Sequence, residues 1–141
     1  MKETCLCIDL RTAAQKLTQI YDDAMASSGL SVTQFSQLNL IRTLEGPTLT
    51  ELAEASQLER STLGRNLKVL EKMGLISTKA GADARSKTIH LSRRGLNAFK
   101  RAVPLWYGAQ NQLLDRLGLE RRDQLDDMLG LLTEPLAANQ V

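Results

Sequence analysis

The sequence predicts a mostly α-helical chain carrying one small β-hairpin, and three observations carry that reading. Aromatic residues make up only 4% of the chain and no long strand-like run occurs, whereas apolar residues recur at helical spacing along most of it. Two pairs, Ser31 with Gln34 and Thr48 with Glu51, have the spacing of a capping box, in which side chain and backbone satisfy each other at the start of a helix. A single late stretch changes period: in Lys87–Ser92 the residues Ile89 and Leu91 alternate with Thr88 and His90, which fits a half-buried strand with His90 facing outward. With 141 residues the chain can bury one good core and is too short for two domains of usual size.

Taken in order, the first helix is expected from about Cys5 to Ala26, on the recurrence of Leu10, Ala14, Leu17, Tyr21 and Ala24. Ser27-Ser28-Gly29 ends it, with glycine as the left-handed cap. A second helix opens at Ser31, carries Phe35, Leu38, Ile41 and Leu44 on its buried side, and stops at Gly46-Pro47. Thr48 starts a short third helix with Leu49, Leu52 and Ala53 on its apolar side, and Gln57-Leu58 breaks it. The fourth, Glu59 to about Met73, is two-faced at about 100° per residue. Leu63, Leu67 and Leu70 stack on one face, Ser61, Arg65, Lys68 and Lys72 on the other, with Thr62 and Asn66 towards the edges.

Gly74 ends that helix, and the runs Leu75–Ala80 and Lys87–Ser92, joined by Gly81-Ala82-Asp83-Ala84-Arg85-Ser86, fit a hairpin. Arg93 to Leu117 follows as a long helix striped by Leu96, Phe99, Val103, Trp106, Gln110, Leu113 and Leu117, with a kink expected at Pro104. After Gly118, a last helix from about Glu120 to Thr133 presents Leu125, Met128, Leu129 and Leu132, and Pro135 follows it. Helix, turn, helix, hairpin is a winged helix-turn-helix. The reading is therefore one domain, 1–141, with a winged lobe at 31–95 between terminal helices at 1–30 and 96–141. The long helix and its neighbour cannot both cover their apolar faces within one small domain, so the terminal helices are expected to form a dimer seam; the alternative is that these stripes fill only the monomer core.

Charge points to nucleic acid. The formal net charge of +2 is bland, yet residues 59–101 hold eleven Lys and Arg against three acids. Scattered charges on helix faces are ordinarily only solvated; concentration on one helix face and one hairpin is the footprint that phosphate binding needs. Arg65 is positioned for a bidentate contact to guanine, Ser61, Thr62 and Asn66 for bases or phosphates, and Lys68 and Lys72 for the backbone further along. Lys79 and Lys87 would meet phosphates from the hairpin; Arg60 divides between phosphate and solvent. A dimer of such units predicts a nearly palindromic double-stranded operator.

The run Leu58-Glu59-Arg60-Ser61-Thr62-Leu63-Gly64-Arg65-Asn66-Leu67-Lys68-Val69-Leu70-Glu71-Lys72-Met73-Gly74-Leu75-Ile76, followed by Asp83-x-Arg85 and Leu91-Ser92-Arg93-Arg94-Gly95, resembles the MarR family of transcriptional regulators. The elements stand in that family's order and spacing, and the resemblance extends over nearly the whole chain. It implies a two-fold dimer built from both termini, a repressor-type regulator, and an arginine at Arg85 that enters the minor groove while Asp83 orients the tip by an ion pair. Two departures stand out. Glu59 sits where relatives carry Ser or Asp as helix cap, and Gly64 lies inside the reading helix at a cost of about 1 kcal/mol relative to Ala, which suggests close approach to DNA or to a neighbour.

Leu6-Cys7-Ile8-Asp9-Leu10-Arg11-Thr12-Ala13-Ala14, with Tyr21 beyond it, is similar to the organic-hydroperoxide-sensing branch of the family. Cys7 holds the reactive position there, and Tyr21 matches one of two tyrosines that hydrogen-bond the thiolate. Arg11 replaces the other, and a cation one turn from Cys7 at a helix N-terminus also favours thiolate. Cys5 is placed to resolve a sulfenic acid at Cys7 or to pair across the dimer. The plain alternative is that Cys7 is a small hydrophobe at the seam. In the wider family a small aromatic or lipophilic ligand between dimer helices and reading unit is the common effector; Trp106 and Tyr107 serve equally as core or as its lining.

No catalytic grouping accompanies the lone His90: an enzyme would need a nucleophile–base pair or a phosphate loop. Cys5, Cys7 and a distant histidine offer too few ligands for a metal, and no cofactor is expected. No apolar run has membrane-spanning length, the N-terminus does not read as a secretory signal, and two cysteines do not make a disulfide framework, so the expectation is a cytoplasmic protein without membrane contact. The competing function is a winged helix used only for protein contact, which would lack a basic face.

Overall fold

The computed structural model describes residues 4–83 and 86–136. Its elements are α1 (Leu6–Met25), a single 3-10 turn (Ala26–Ser28), α2 (Val32–Thr43), α3 (Leu49–Ser56), α4 (Arg60–Lys72), β1 (Ile76–Ala80), β2 (Lys87–Leu91), α5 (Arg93–Leu117) and α6 (Leu119–Thr133). The helix boundaries are set by the residues that the sequence singles out. Gly29 takes φ 78° and closes the first helical segment through its amide to the Ala26 carbonyl at 3.1 Å. Both capping boxes form: the Gln34 amide donates to Ser31 Oγ at 3.1 Å and the Ser31 amide to Gln34 Oε1 at 3.0 Å. At α3 the Thr48 amide donates to Glu51 Oε2 at 2.8 Å and the Glu51 amide to Thr48 Oγ1 at 3.2 Å. Glu59, in contrast, makes no side-chain cap at α4.

The core is built where three layers meet. Met25, Leu38, Ile41, Leu52, Leu63 and Leu70 are completely enclosed, joining the end of α1 to α2, α3 and the apolar face of α4. Each such leucine contributes about 1.5–3 kcal/mol by leaving water. An aromatic stack carries the core into α5: Phe35 lies 5.0 Å from Phe99 and 5.8 Å from Trp106 between ring centres. The Arg42 guanidinium lies over the Phe99 ring, 5.1 Å from its centre.

The hairpin is antiparallel, in register Ile76↔Leu91 through Ala80↔Lys87. The segment entering α3 also joins it, through a bridge between Thr48 and Thr88 and a bond from the Ile89 amide to the Pro47 carbonyl at 2.8 Å. That third edge anchors the wing to the start of the helix-turn-helix. It also corrects the reading of His90 as an outward residue. The ring is half-buried against Gly46, where any Cβ would collide with it, and its Nε2 lies 2.9 Å from Thr88 Oγ1.

Two apolar stripes differ from expectation. Leu44 is exposed, because α2 ends at Thr43 and the chain reverses through Glu45 at φ 55° and Gly46 at φ 92°. The inward face of α5 is lined by Gly95, Ala98, Phe99, Ala102 and Ala109, while Leu96 points out. Small residues there let neighbouring backbones approach, so the buried row is one that bulk hydrophobicity does not mark. α5 runs on through Pro104 as one helix.

Candidate nucleic-acid interface

Alternation of apolar and cationic residues along α4 decides which side each faces. Leu63, Leu67 and Leu70 are drawn into the core, which turns Ser61, Arg65, Lys68 and Lys72 to solvent. Thr62 and Asn66 are half-buried at the edges, Asn66 turning towards α2 beside Gln34 and Gln37. Lys79 on β1, Asp83 in the connection and Lys87 on β2 are exposed as well. Among the described residues the only ion pair is Arg122 with Asp126, so Arg60, Arg65, Lys68, Lys72, Lys79 and Lys87 have no acidic partner among those residues. Exposed cations without acidic partners are what a polyanion binds, since no internal ion pair must first be broken.

Hairpin geometry is set by short bonds at its tip. The Gly81 amide donates to the Ser86 carbonyl at 2.6 Å, and both the amide and the hydroxyl of Ser86 donate to the Asp83 carbonyl, at 3.0 and 3.1 Å. Arg85, expected at the minor groove, and the Asp83–Arg85 ion pair lie outside the described residues.

Gly64 does not serve a close contact within the chain: a Cβ there would meet nothing within 4 Å. It opens instead onto a cavity of about 220 Å³ between α4 and the wing, bordered by Leu67, Lys68, Ile76 and Lys87. The join between reading unit and long helix is tight. Ser92 caps α5 by accepting from the Gly95 amide at 3.0 Å, while its hydroxyl donates to the Gly74 carbonyl at 2.6 Å. Composition alone does not signal this clamp, although the Ser-x-x-Gly spacing at a helix start does.

At the other end of the molecule Cys5 stands at the N-cap position of α1 without a side-chain capping bond and Cys7 lies in the first turn, both exposed free thiols, with Arg11 one turn further on. Tyr21 does not meet Cys7 within a single protomer. It is fourteen residues beyond Cys7 on one helix, about 21 Å away at 1.5 Å per residue. Its hydroxyl donates to Gln110 Oε1 instead. Burial raises the Tyr21 pKa above the ordinary 10.0, and Arg122 partly offsets this. A thiolate contact from Tyr21 would have to reach across to a second copy. Trp106 belongs to the core stack, and Tyr107, 55% exposed, meets it edge-on at 5.0 Å.

No residue of α6 is buried, and on α1 only Met25 is, while Leu6, Ile8, Leu10, Leu17, Ile20, Met128, Leu129 and Leu132 stand exposed. Between α1, α5 and α6 an apolar groove of about 390 Å³ is lined by Leu17, Ile20, Tyr21, Leu113, Leu117 and Leu125. No helix among the described residues is long and apolar enough to cross a membrane.

A helix-turn-helix with a wing at its side and an unpaired cationic face on its second helix defines a winged-helix protein of the nucleic-acid-binding type. Residues 28–86 match the model of the MarR family. The structure superposes on the Mycobacterium tuberculosis transcriptional regulator MosR in complex with DNA at a TM-score of 0.80, with 42% identity over 92% of this chain and 96% of that one. It matches the transcriptional repressor CouR, bound to a 23-mer DNA duplex, at a TM-score of 0.81 with 27% identity over 92% of this chain and 93% of the other. Uncharacterized HTH-type transcriptional regulators of Bacillus cereus and Bacillus anthracis are 34% identical over 97 residues, which is 69% of this chain and 65% of theirs. The chain belongs to the MarR family.

Proposed function

We propose that the chain is a sequence-specific, DNA-binding transcriptional regulator that acts as a homodimer on a nearly palindromic operator. The observation that carries the proposal is the α4 surface, where Ser61, Arg65, Lys68 and Lys72 are exposed on one face beside the Lys79 and Lys87 cations of the wing. Arg65 reads guanine, Ser61, Thr62 and Asn66 contact bases or phosphates, Lys68, Lys72, Lys79 and Lys87 neutralise the backbone, and Arg85 enters the minor groove. The DNA complexes of MosR and CouR support the mode of binding. A second copy covers the exposed leucines of α1 and α6, and a cytoplasmic location suits DNA access. The protein-contact reading is disfavoured because it gives the cationic face no work.

Repression released by an effector completes the proposal. One route is a small aromatic or lipophilic ligand. The other is oxidation: the Cys7 thiolate attacks an organic hydroperoxide, leaving sulfenic acid and the alcohol, and a second thiol, Cys5 or one from the partner, then forms a disulfide and releases water. Footprinting of the protein's own promoter region, with and without cumene hydroperoxide, tests both levels. Protection of paired half-sites is expected, lost on oxidation in the native protein and retained in Cys7→Ser. A protein that protects no sequence over random duplex overturns the regulator reading, and equal release in Cys7→Ser overturns the redox route alone.

A further inference from the structure

The wing is fastened to the rest of the chain beside a histidine that the DNA-reading surface does not use. His90 lies on β2 two residues from Thr88, so both side chains share one face of the strand, while Ile89 points the other way into the core. The His90 Nε2 and the Thr88 hydroxyl share a hydrogen bond at 2.9 Å. The ring also covers Gly46 in the α2–α3 turn, so closely that a Cβ built there would stand 2.3 Å from its Cε1 and 2.9 Å from its Nε2. Two further ties join β2 to the same turn: the Ile89 amide donates to the Pro47 carbonyl at 2.8 Å, and Thr48 bridges Thr88. Those two are backbone. The imidazole is the tie that a substitution can remove.

The joint bears on the placement of two cations. Lys87 opens β2, three residues from His90, and Lys79 on β1 stands opposite Thr88. The reading helix is set separately, by Leu63, Leu67 and Leu70 in the core. It gives the outer part of the wing little support, because the cavity of about 220 Å³ bordered by Lys68, Ile76 and Lys87 lies between them and a Cβ at Gly64 would meet nothing within 4 Å. A two-stranded hairpin is also only marginally stable alone. The angle between the wing cations and those of α4 therefore depends on how β2 sits against the α2–α3 turn. We infer that His90 is a positioning residue for DNA binding: its ring, braced over Gly46, holds Lys79 and Lys87 at the angle at which they meet the same duplex as α4. The inference rests on the DNA reading proposed above. With a strand rise of about 3.4 Å per residue Lys87 stands about 10 Å out from the brace, so a small rocking of β2 is magnified there beyond the roughly 3 Å reach of a phosphate hydrogen bond.

The test uses the full chain and a duplex of about 30 base pairs and arbitrary sequence, with affinity measured across a salt series, because the number of phosphate contacts sets the slope. His90→Ala should flatten that slope by up to about four contacts' worth, two wing lysines in each half of the dimer. The discriminating readout is coupling. Lys87→Ala should flatten the slope of the native chain and leave it unmoved when added to His90→Ala, whereas Lys68→Ala should flatten both alike. A loss of stability without a role in wing placement would not produce that selectivity. A His90→Ala slope equal to the native one, or Lys87→Ala acting equally in both backgrounds, would overturn the inference and leave DNA binding intact. A native chain whose affinity does not change with salt would overturn the DNA reading and this inference with it. Should His90→Ala not fold, Thr88→Val decides: it removes the hydroxyl partner of the ring and keeps a branched strand side chain. A flattening coupled to Lys87 then supports the inference, and a native slope overturns it.

Discussion

Replacing Gly95 with alanine tests the junction that holds the reading unit to the long helix. A Cβ at Gly95 would overlap the Leu75 carbonyl oxygen and stand 2.8 Å from its carbon, where ordinary contact begins at 3.4 Å. The obstacle is backbone, not a flexible side-chain end. Leu75 is held on both sides, its amide donating to the Leu70 carbonyl at 3.0 Å and its carbonyl accepting from the Ser92 amide at 3.0 Å. Either α5 must move off the end of α4, or the entry into β1 must shift. Overpacking of a buried site costs about 1–3 kcal/mol, and a backbone obstacle places this substitution at the upper end. For a chain of this size that lowers the melting midpoint by roughly 10 °C. Gly108→Ala is the matched control in the same helix, because a Cβ there meets nothing within 4 Å. It should raise stability by about 0.5–1 kcal/mol through helix propensity. Urea unfolding of both variants at one fixed protomer concentration is the assay. A Gly95→Ala midpoint equal to that of the native chain would refute the clamp.

Other substitutions probe separate parts. Arg65→Ala should relax sequence preference by about 1–3 kcal/mol at one base pair of each half-site, measured by competition against point-mutated duplexes; an unchanged preference ranking removes Arg65 as the guanine reader. Thr48→Ala should cost about 1 kcal/mol of stability by opening the α3 capping box, whereas retention of native stability would mean that the box contributes nothing. Gln37→Met should leave the protein more stable, by about 1–3 kcal/mol, since it removes a buried amide without partners among the described residues; a loss of stability instead would mean that the amide is satisfied in solution.

Much of this molecule is legible from its residues because its boundaries are written in side chains that act locally. Ser31 with Gln34, Thr48 with Glu51, and Gly29 and Gly74 each mark a helix end through bonds or backbone angles spanning a few residues. The two faces of α4 follow from the period of Leu63, Leu67 and Leu70. What escaped depends on contacts distant in sequence. The inward face of α5 is set by Gly95, Ala98, Ala102 and Ala109, small residues whose value lies in the backbone brought close to them. His90 turns inward because Gly46, forty-four positions earlier, leaves room for its ring. Leu44 has the period of α2 but falls just past its end. Tyr21 carries the family's pattern at its position, yet the straightness of α1 keeps it from Cys7 in the same chain.

The central claim, that the α4 and wing cations meet one duplex together, is tested most directly by DNA affinity across a salt series. In the proposed dimer, Lys68, Lys72, Lys79 and Lys87 from each half would make about eight phosphate contacts, so affinity should fall about 10⁴-fold between roughly 50 and 200 mM salt. Lys68→Ala with Lys72→Ala should flatten that dependence by about four contacts' worth. Affinity that barely changes with salt, or a slope untouched by the double substitution, would contradict it.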